Sequence, residues 1–81
     1  MVYIDIPFVI ENNRIDRDYA KKEIQILNIS DDAKKNAFEA IYYRQPRGVN
    51  FDNKESKEAL SLQNVLTRLG APYRRVEIED D

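Results

Sequence analysis

Tyrosine and arginine crowd together at two places in this chain: Tyr42-Tyr43-Arg44-Gln45-Pro46-Arg47, and Tyr73-Arg74-Arg75 shortly after Arg68. A guanidinium grips a phosphate or carboxylate through two parallel N–H bonds, and a phenol ring offers a flat face for stacking. The combination therefore suits either unstacked nucleic-acid bases or the hot spot of a protein interface. A purely structural role competes with both. Cations near a helix C-terminus favour the dipole, tyrosines there bury their rings while keeping hydroxyls wet, and Arg74 or Arg75 can pair with Glu77 or Glu79.

Other chemistry is sparse. The chain has no histidine and no cysteine, which removes the commonest general base at neutral pH, the thiol nucleophile and the soft metal ligands. Carboxylates fall in groups: Asp16 with Asp18, Asp31 with Asp32, and Glu77 with Glu79, Asp80 and Asp81. The first two groups sit where helix starts favour negative charge, the last forms an acidic tail, and no EF-hand spacing occurs. Gly48 and Gly70 stand alone, so no glycine-rich loop cradles a phosphate, and Ser30, Ser56 and Ser61 have no histidine to activate them. The expectation is a protein without catalytic activity, cofactor or metal.

The elements that must position these residues can be read from periodicity. Ile4, Ile6, Phe8 and Ile10 alternate with Asp5, Pro7 and Val9, which predicts a strand over 2–10. Pro7 cannot donate a ladder hydrogen bond, so this strand is expected at a sheet edge or with a bulge. Glu11-Asn12-Asn13 reads as a turn. Residues 16–28 fit a helix capped by Asp16 with Tyr19, Ala20, Ile24 and Leu27 on one face, although Glu23 to Ile29 also fits a strand.

Ser30 followed by two aspartates starts a second helix, whose stripe is Ala33, Ala37, Phe38, Ala40 and Ile41 and which should stop near Arg44 before Pro46 and Gly48. Gly48 to Phe51 can supply a short strand or an extended connection. Asp52 and Glu55 have capping-box spacing, and Ala59, Leu62, Val65, Leu66 and Leu69 recur at helical intervals up to Gly70, which suits a left-handed C-cap ahead of Pro72. Arg74, Val76 and Ile78 then alternate with Tyr73, Arg75 and Glu77 as a closing strand.

Composition bounds the rest. At 81 residues, 42% hydrophobic and 35% charged, the chain suits one domain over 1–81, with 79–81 a frayed acidic tail. No apolar run approaches the roughly 20 residues that cross a bilayer, and the start does not read as a signal peptide. A soluble cytoplasmic protein is expected, and the Asn28-Ile29-Ser30 sequon is taken as chance. Thirteen basic and fifteen acidic residues give a net charge of −2, so any basic patch must be local.

The order strand, helix, helix, short strand, helix, strand resembles the C-terminal domain of the bacterial ribosomal stalk protein and, more distantly, the adaptor that hands N-degron substrates to the Clp protease. The residues that carry the resemblance are Asp32-Ala33-Lys34-Lys35 at a helix start, Gly48-Val49, and Ser56-Lys57-Glu58-Ala59 through Leu66-Thr67-Arg68-Leu69-Gly70-Ala71 leading into the last strand. It covers about residues 24 to 79. The stalk family's Gly-Leu-Gly-Leu turn is replaced by Asn28-Ile29-Ser30-Asp31, and the adaptor's histidine is absent. The resemblance implies a scaffold that binds other proteins and transfers no functional residue.

Together these features predict an α+β two-layer sandwich in βααβαβ order: about three strands with two or three helices on one face. The predicted core is Ile4, Ile6, Phe8, Ala37, Ile41, Leu62, Leu66, Leu69, Val76 and Ile78. The expected function is a protein–protein interaction module, an adaptor or inhibitor, using Tyr42, Tyr43, Arg44, Arg47, Arg68, Tyr73, Arg74 and Arg75. The negative net charge and acidic tail favour a protein partner over nucleic acid, which stays as the alternative on the same surface. An acidic decoy of nucleic acid built on Glu77 to Asp81 and the helix-start aspartates is a third reading. No membrane partner is expected. The edge of strand 2–10 offers a route to a second chain or a homodimer, unless Pro7 blocks it.

Overall fold

The computed structural model describes residues 1–7 and 15–78. Its order is β1 (Val2–Ile6), α1 (Arg17–Gln25), α2 (Asp31–Tyr42), β2 (Arg47–Phe51), a 3₁₀ turn (Asn53–Glu55), α3 (Ser56–Leu69) and β3 (Arg74–Glu77). The three strands form one antiparallel sheet in the order β2-β1-β3. This is the α+β fold and βααβαβ order that periodicity predicts. No helix among the described residues is long and apolar enough to cross a membrane.

The local signals act where the sequence places them. The Asp16 carboxylate accepts from the Asp18 and Tyr19 N–H groups at 3.0 and 3.2 Å, so residues after it are helix and not strand. Ser30 Oγ accepts from Ala33 N–H at 3.2 Å to start α2. Glu55 Oε1 accepts from Asp52 N–H at 3.0 Å, which steers the chain through the 3₁₀ turn into α3. At the far end of α3, Gly70 adopts φ 75°, Gly70 N–H bonds to Thr67 O and Ala71 N–H bonds to Leu66 O, a Schellman closure with Ala71 buried behind it.

β1 differs from expectation in place and length. It is the central strand, paired on both sides, and not an edge. The described strand stops at Ile6, so Pro7 stands just outside the ladder it cannot join. β2 pairs with all of Val2–Ile6 and β3 with Val2 to Asp5, so strand addition along that stretch of β1 is closed. Phe8 and the predicted turn at residues 11–13 lie outside the described residues. α1 ends at Gln25, three residues before the predicted end, and Tyr19 is half exposed where it was expected on the buried face.

The core lies between the sheet and the helices. Val2, Ile4 and Ile6 of β1 and Val49 and Phe51 of β2 meet α2 through Ala33, Ala37, Ala40 and Ile41, and α3 through Ala59, Leu62, Val65 and Leu66. α1 packs against α2 and α3 through Ala20 and Ile24. Leu69 sits partly buried against this cluster. Val76 and Ile78 do not join it. Arg75 stands opposite Ile4 and Glu77 opposite Val2, so the helix-facing positions of β3 carry charge, while Val76 pairs with Tyr3 on the other face. Ile78 is 46% exposed.

The face of the sheet opposite the helices carries Tyr3, Asp5, Gly48, Asn50, Arg74 and Val76 by register. Here Gly48 has a specific use. A Cβ on it would lie 1.9 Å from Tyr3 Oη, because the Tyr3 ring lies across the bare backbone of β2. Gly48→Ala is therefore expected to cost about 1 kcal/mol in the natural chain, since the ring must leave the strand pair it covers. In a Tyr3→Ala background the same change should add about 0.5 kcal/mol, because alanine loses less backbone freedom than glycine. Urea midpoints of the four chains measure this reversal; equal effects in both backgrounds would show that the ring is not what excludes a side chain.

Candidate functional site

The two tyrosine–arginine segments end at the same edge of the molecule. Arg47 opens β2 opposite Ile6, and Arg74 opens β3 opposite Asp5, so the chain leaves α2 and α3 at one end of the sheet. Neighbouring strands are about 4.8 Å apart, which puts the two strand starts about 10 Å from each other across β1. Proximity does not merge them. Among the described residues no hydrogen bond, ion pair or ring contact joins residues 42–47 to residues 73–75, and each group builds its own cluster.

The arginines are largely committed to carboxylates. Arg47 Nη2 lies 3.2 Å from Glu39 Oε2, Arg68 Nη2 3.2 Å from Glu23 Oε2, Arg74 Nη2 3.6 Å from Asp5 Oδ2, and Arg75 Nη2 3.1 Å from Glu77 Oε1. Arg47 is also bonded to the Pro46 carbonyl and the Gln45 side chain, and Arg75 Nη1 donates to Gln63 Oε1 at 2.6 Å. Arg44 is the exception. It has no ion pair among the described residues and holds a left-handed backbone at φ 53°, where the chain reverses between α2 and β2.

The tyrosines of residues 42–43 belong to a three-ring cluster. Phe38 and Tyr42, one helical turn apart on α2, stack with centroids 4.8 Å apart and planes at 22°. Tyr43, the C-cap residue, stands edge-on to both, at 6.0 Å from Phe38 and 5.2 Å from Tyr42. Arg17 lies 5.6 Å from the Tyr42 centroid and Lys21 5.9 Å from that of Phe38, both reaching across from α1. Tyr43 is 58% exposed. The cluster is thus a braced aromatic ledge with one free ring.

Beside the ledge runs an open groove of about 330 Å³ between α1 and α2, lined by Lys21, Ile24, Gln25, Asp31, Lys34, Lys35 and Phe38. Its floor is Ile24 and Phe38 and its rim is mainly lysine. Phe38, Arg17 and Lys21 were not among the predicted site residues. The Phe38–Tyr42 spacing is visible in the sequence, but the two cations come from another helix and only α1–α2 packing brings them there.

At the other cluster, Tyr73 Oη lies 3.4 Å from Thr67 Oγ1. Hydrogen bonds from Thr67 and Gln63, helped by the charge of Arg75, favour its phenolate and lower its pKa below the usual value. Tyr19 moves the other way: its hydrogen bond to Glu23 and the negative charge there raise its pKa. No group of three or more acidic residues among the described residues is placed to hold a metal ion.

The two tyrosines therefore act oppositely on stability near their ordinary pKa of about 10. Tyr73, depressed in the fold, contributes stability above that pH and loses it as pH falls through its folded pKa. Tyr19, raised in the fold, contributes stability below it and loses it as pH rises through its own. In an absorbance titration of the phenolates, the step that Tyr73→Phe deletes should lie at lower pH than the step that Tyr19→Phe deletes; the reverse order would contradict these hydrogen-bond assignments. No family model, curated protein or solved structure matches this chain, and its site is defined by the geometry above.

Proposed function

We propose that this chain is a small protein–protein interaction module, an adaptor or inhibitor without catalytic activity, whose contact surface is the aromatic ledge Phe38-Tyr42-Tyr43 and the adjoining groove. The observation that carries this reading is a free Tyr43 ring held in place by two neighbouring rings that are themselves braced by cations. A pre-ordered aromatic loses little freedom on binding, which is why such residues anchor protein interfaces. The lysine rim of the groove and Arg44, which has no ion pair among the described residues, favour a partner that presents an apolar side chain flanked by carboxylates.

The nucleic-acid alternative is weaker on the same geometry. Arg47, Arg68, Arg74 and Arg75 each face a carboxylate at 3.6 Å or less, so gripping a phosphate would mean breaking an existing pair. The resemblance to the stalk domain, taken as a guide to role, points in the same direction as the ledge: a scaffold for other proteins.

The test uses affinity capture with the natural chain and with Tyr43→Ala as baits, followed by calorimetry on the recovered protein. Tyr43→Ala should weaken binding by about tenfold or more, while its thermal unfolding shifts by the equivalent of only about 0.5 kcal/mol. Equal capture by both baits would remove the ledge from the interface. Tight binding of a single-stranded oligonucleotide that falls steeply with salt would replace the proposal with the nucleic-acid reading.

A further inference from the structure

The edge of β3 turned away from β1 has a pattern that the proposed ledge does not use. Met1 and Ile78 exchange backbone hydrogen bonds, Ile78 N–H to Met1 O at 2.9 Å and the Met1 amine to Ile78 O at 3.0 Å. Bonded and non-bonded pairs alternate along an antiparallel ladder, so Tyr3–Val76 and Asp5–Arg74 are also bonded pairs. The backbone groups of Arg75 and Glu77 must then point away from β1, toward an edge that carries no strand among the described residues. β3 thus offers two N–H and two C=O groups, on one cationic and one anionic residue.

We infer that β3 pairs antiparallel with β3 of a second copy, Arg75 opposite Glu77 of the other chain and Val76 on the two-fold axis, to give a continuous six-stranded sheet. The register follows from elimination. An antiparallel two-fold about an axis normal to the sheet keeps faces aligned, and outward-pointing residues must meet each other. The choices are Arg75 opposite Arg75, Glu77 opposite Glu77, or Arg75 opposite Glu77. The first two set like charges directly across from one another, which opposes pairing, and the third makes two opposite-charge pairs and four backbone hydrogen bonds.

The same register accounts for the apolar residues that the fold leaves outside its core. Val76, on the sheet face opposite the helices, would meet its symmetry mate in the closer, non-bonded type of pair, extending the Tyr3–Val76 row across the axis. Ile78, 46% exposed, would lie opposite the side chain of Arg74. The β2 edge does not compete on these terms, because its outward residues Gly48 and Asn50 carry no charge to select a register.

Two variants with opposite charge changes test the pairing. Arg75→Glu alone and Glu77→Arg alone should each weaken self-association by about tenfold or more, because each then sets like charges across the axis. An equimolar mixture of the two should associate, since every crossing pair is again opposite in sign. Sedimentation equilibrium reads the populations, and circular dichroism confirms that each variant is folded. Without any variant, hydrogen exchange at the Arg75 and Glu77 amides of the natural chain should slow as concentration rises, while Gly48 and Asn50 stay fast. A natural chain that remains monomeric up to about 1 mM would overturn the inference. So would single variants that associate like the natural chain, a mixture that stays monomeric, or exchange that slows at β2 instead.

Discussion

The seating of β1 between two antiparallel partners is the constraint on which the rest of this small molecule depends. Val2, Ile4 and Ile6 are the buried residues of a strand that is bonded on both edges, and with Val49 and Phe51 of β2 they form the floor on which α2 and α3 pack. A slip of one residue in either ladder would turn these three side chains to solvent and bring Tyr3 and Asp5 inward. Register therefore decides everything downstream. It sets Arg75 beside Gln63 of α3, Val76 beside Tyr3, and the starts of β2 and β3 at one end of the sheet.

That arrangement explains why arginine-rich segments do not make an open cationic surface. Each strand start lies near an acidic residue contributed by a neighbouring element: Asp5 from β1 for Arg74, Glu39 from α2 for Arg47, and Glu23 from α1 for the α3 residue Arg68. These pairs are partly exposed, and pairs of that kind contribute little to stability, of the order of 0 to 1 kcal/mol each. Their consequence is selective. They lower the local potential that a phosphate backbone would need, while Tyr43 of the aromatic ledge stays exposed.

Most of the fold was legible because its signals are local. Asp16, Ser30, Glu55 and Gly70 act on backbone groups within a few residues, so spacing alone locates the helix ends they govern. The helical stripes of α2 and α3 were legible for the same reason. The errors arose where non-local pairing decides the outcome. Pro7 suggests an edge strand, yet β1 ends one residue before it and can therefore sit in the centre. Alternation in Arg74 to Ile78 gives two faces but does not say which one meets the helices, and the register of β3 on β1 chose the charged one. The candidate site was legible in half: the tyrosines, the arginines and the local Arg75–Glu77 pair were visible, whereas the carboxylates that face Arg47, Arg68 and Arg74 and the α1 cations that brace the rings come from other elements.

The composition of the core also explains why the aromatic rings are outside it. Six of its residues are alanines, Ala20, Ala33, Ala37, Ala40, Ala59 and Ala71, and small side chains let helix backbones approach the sheet and one another closely. Close approach leaves little volume for rings, and among the described residues Phe51 is the single aromatic that is fully buried. Phe38, Tyr42 and Tyr43 must then lie at the margin of the core, where α2 ends and α1 begins. A chain of this length has few positions that are both rigid and accessible. The rings occupy one because the alanines that close the interior exclude them from it, so the economy of the core and the presence of an exposed aromatic ledge follow from the same packing.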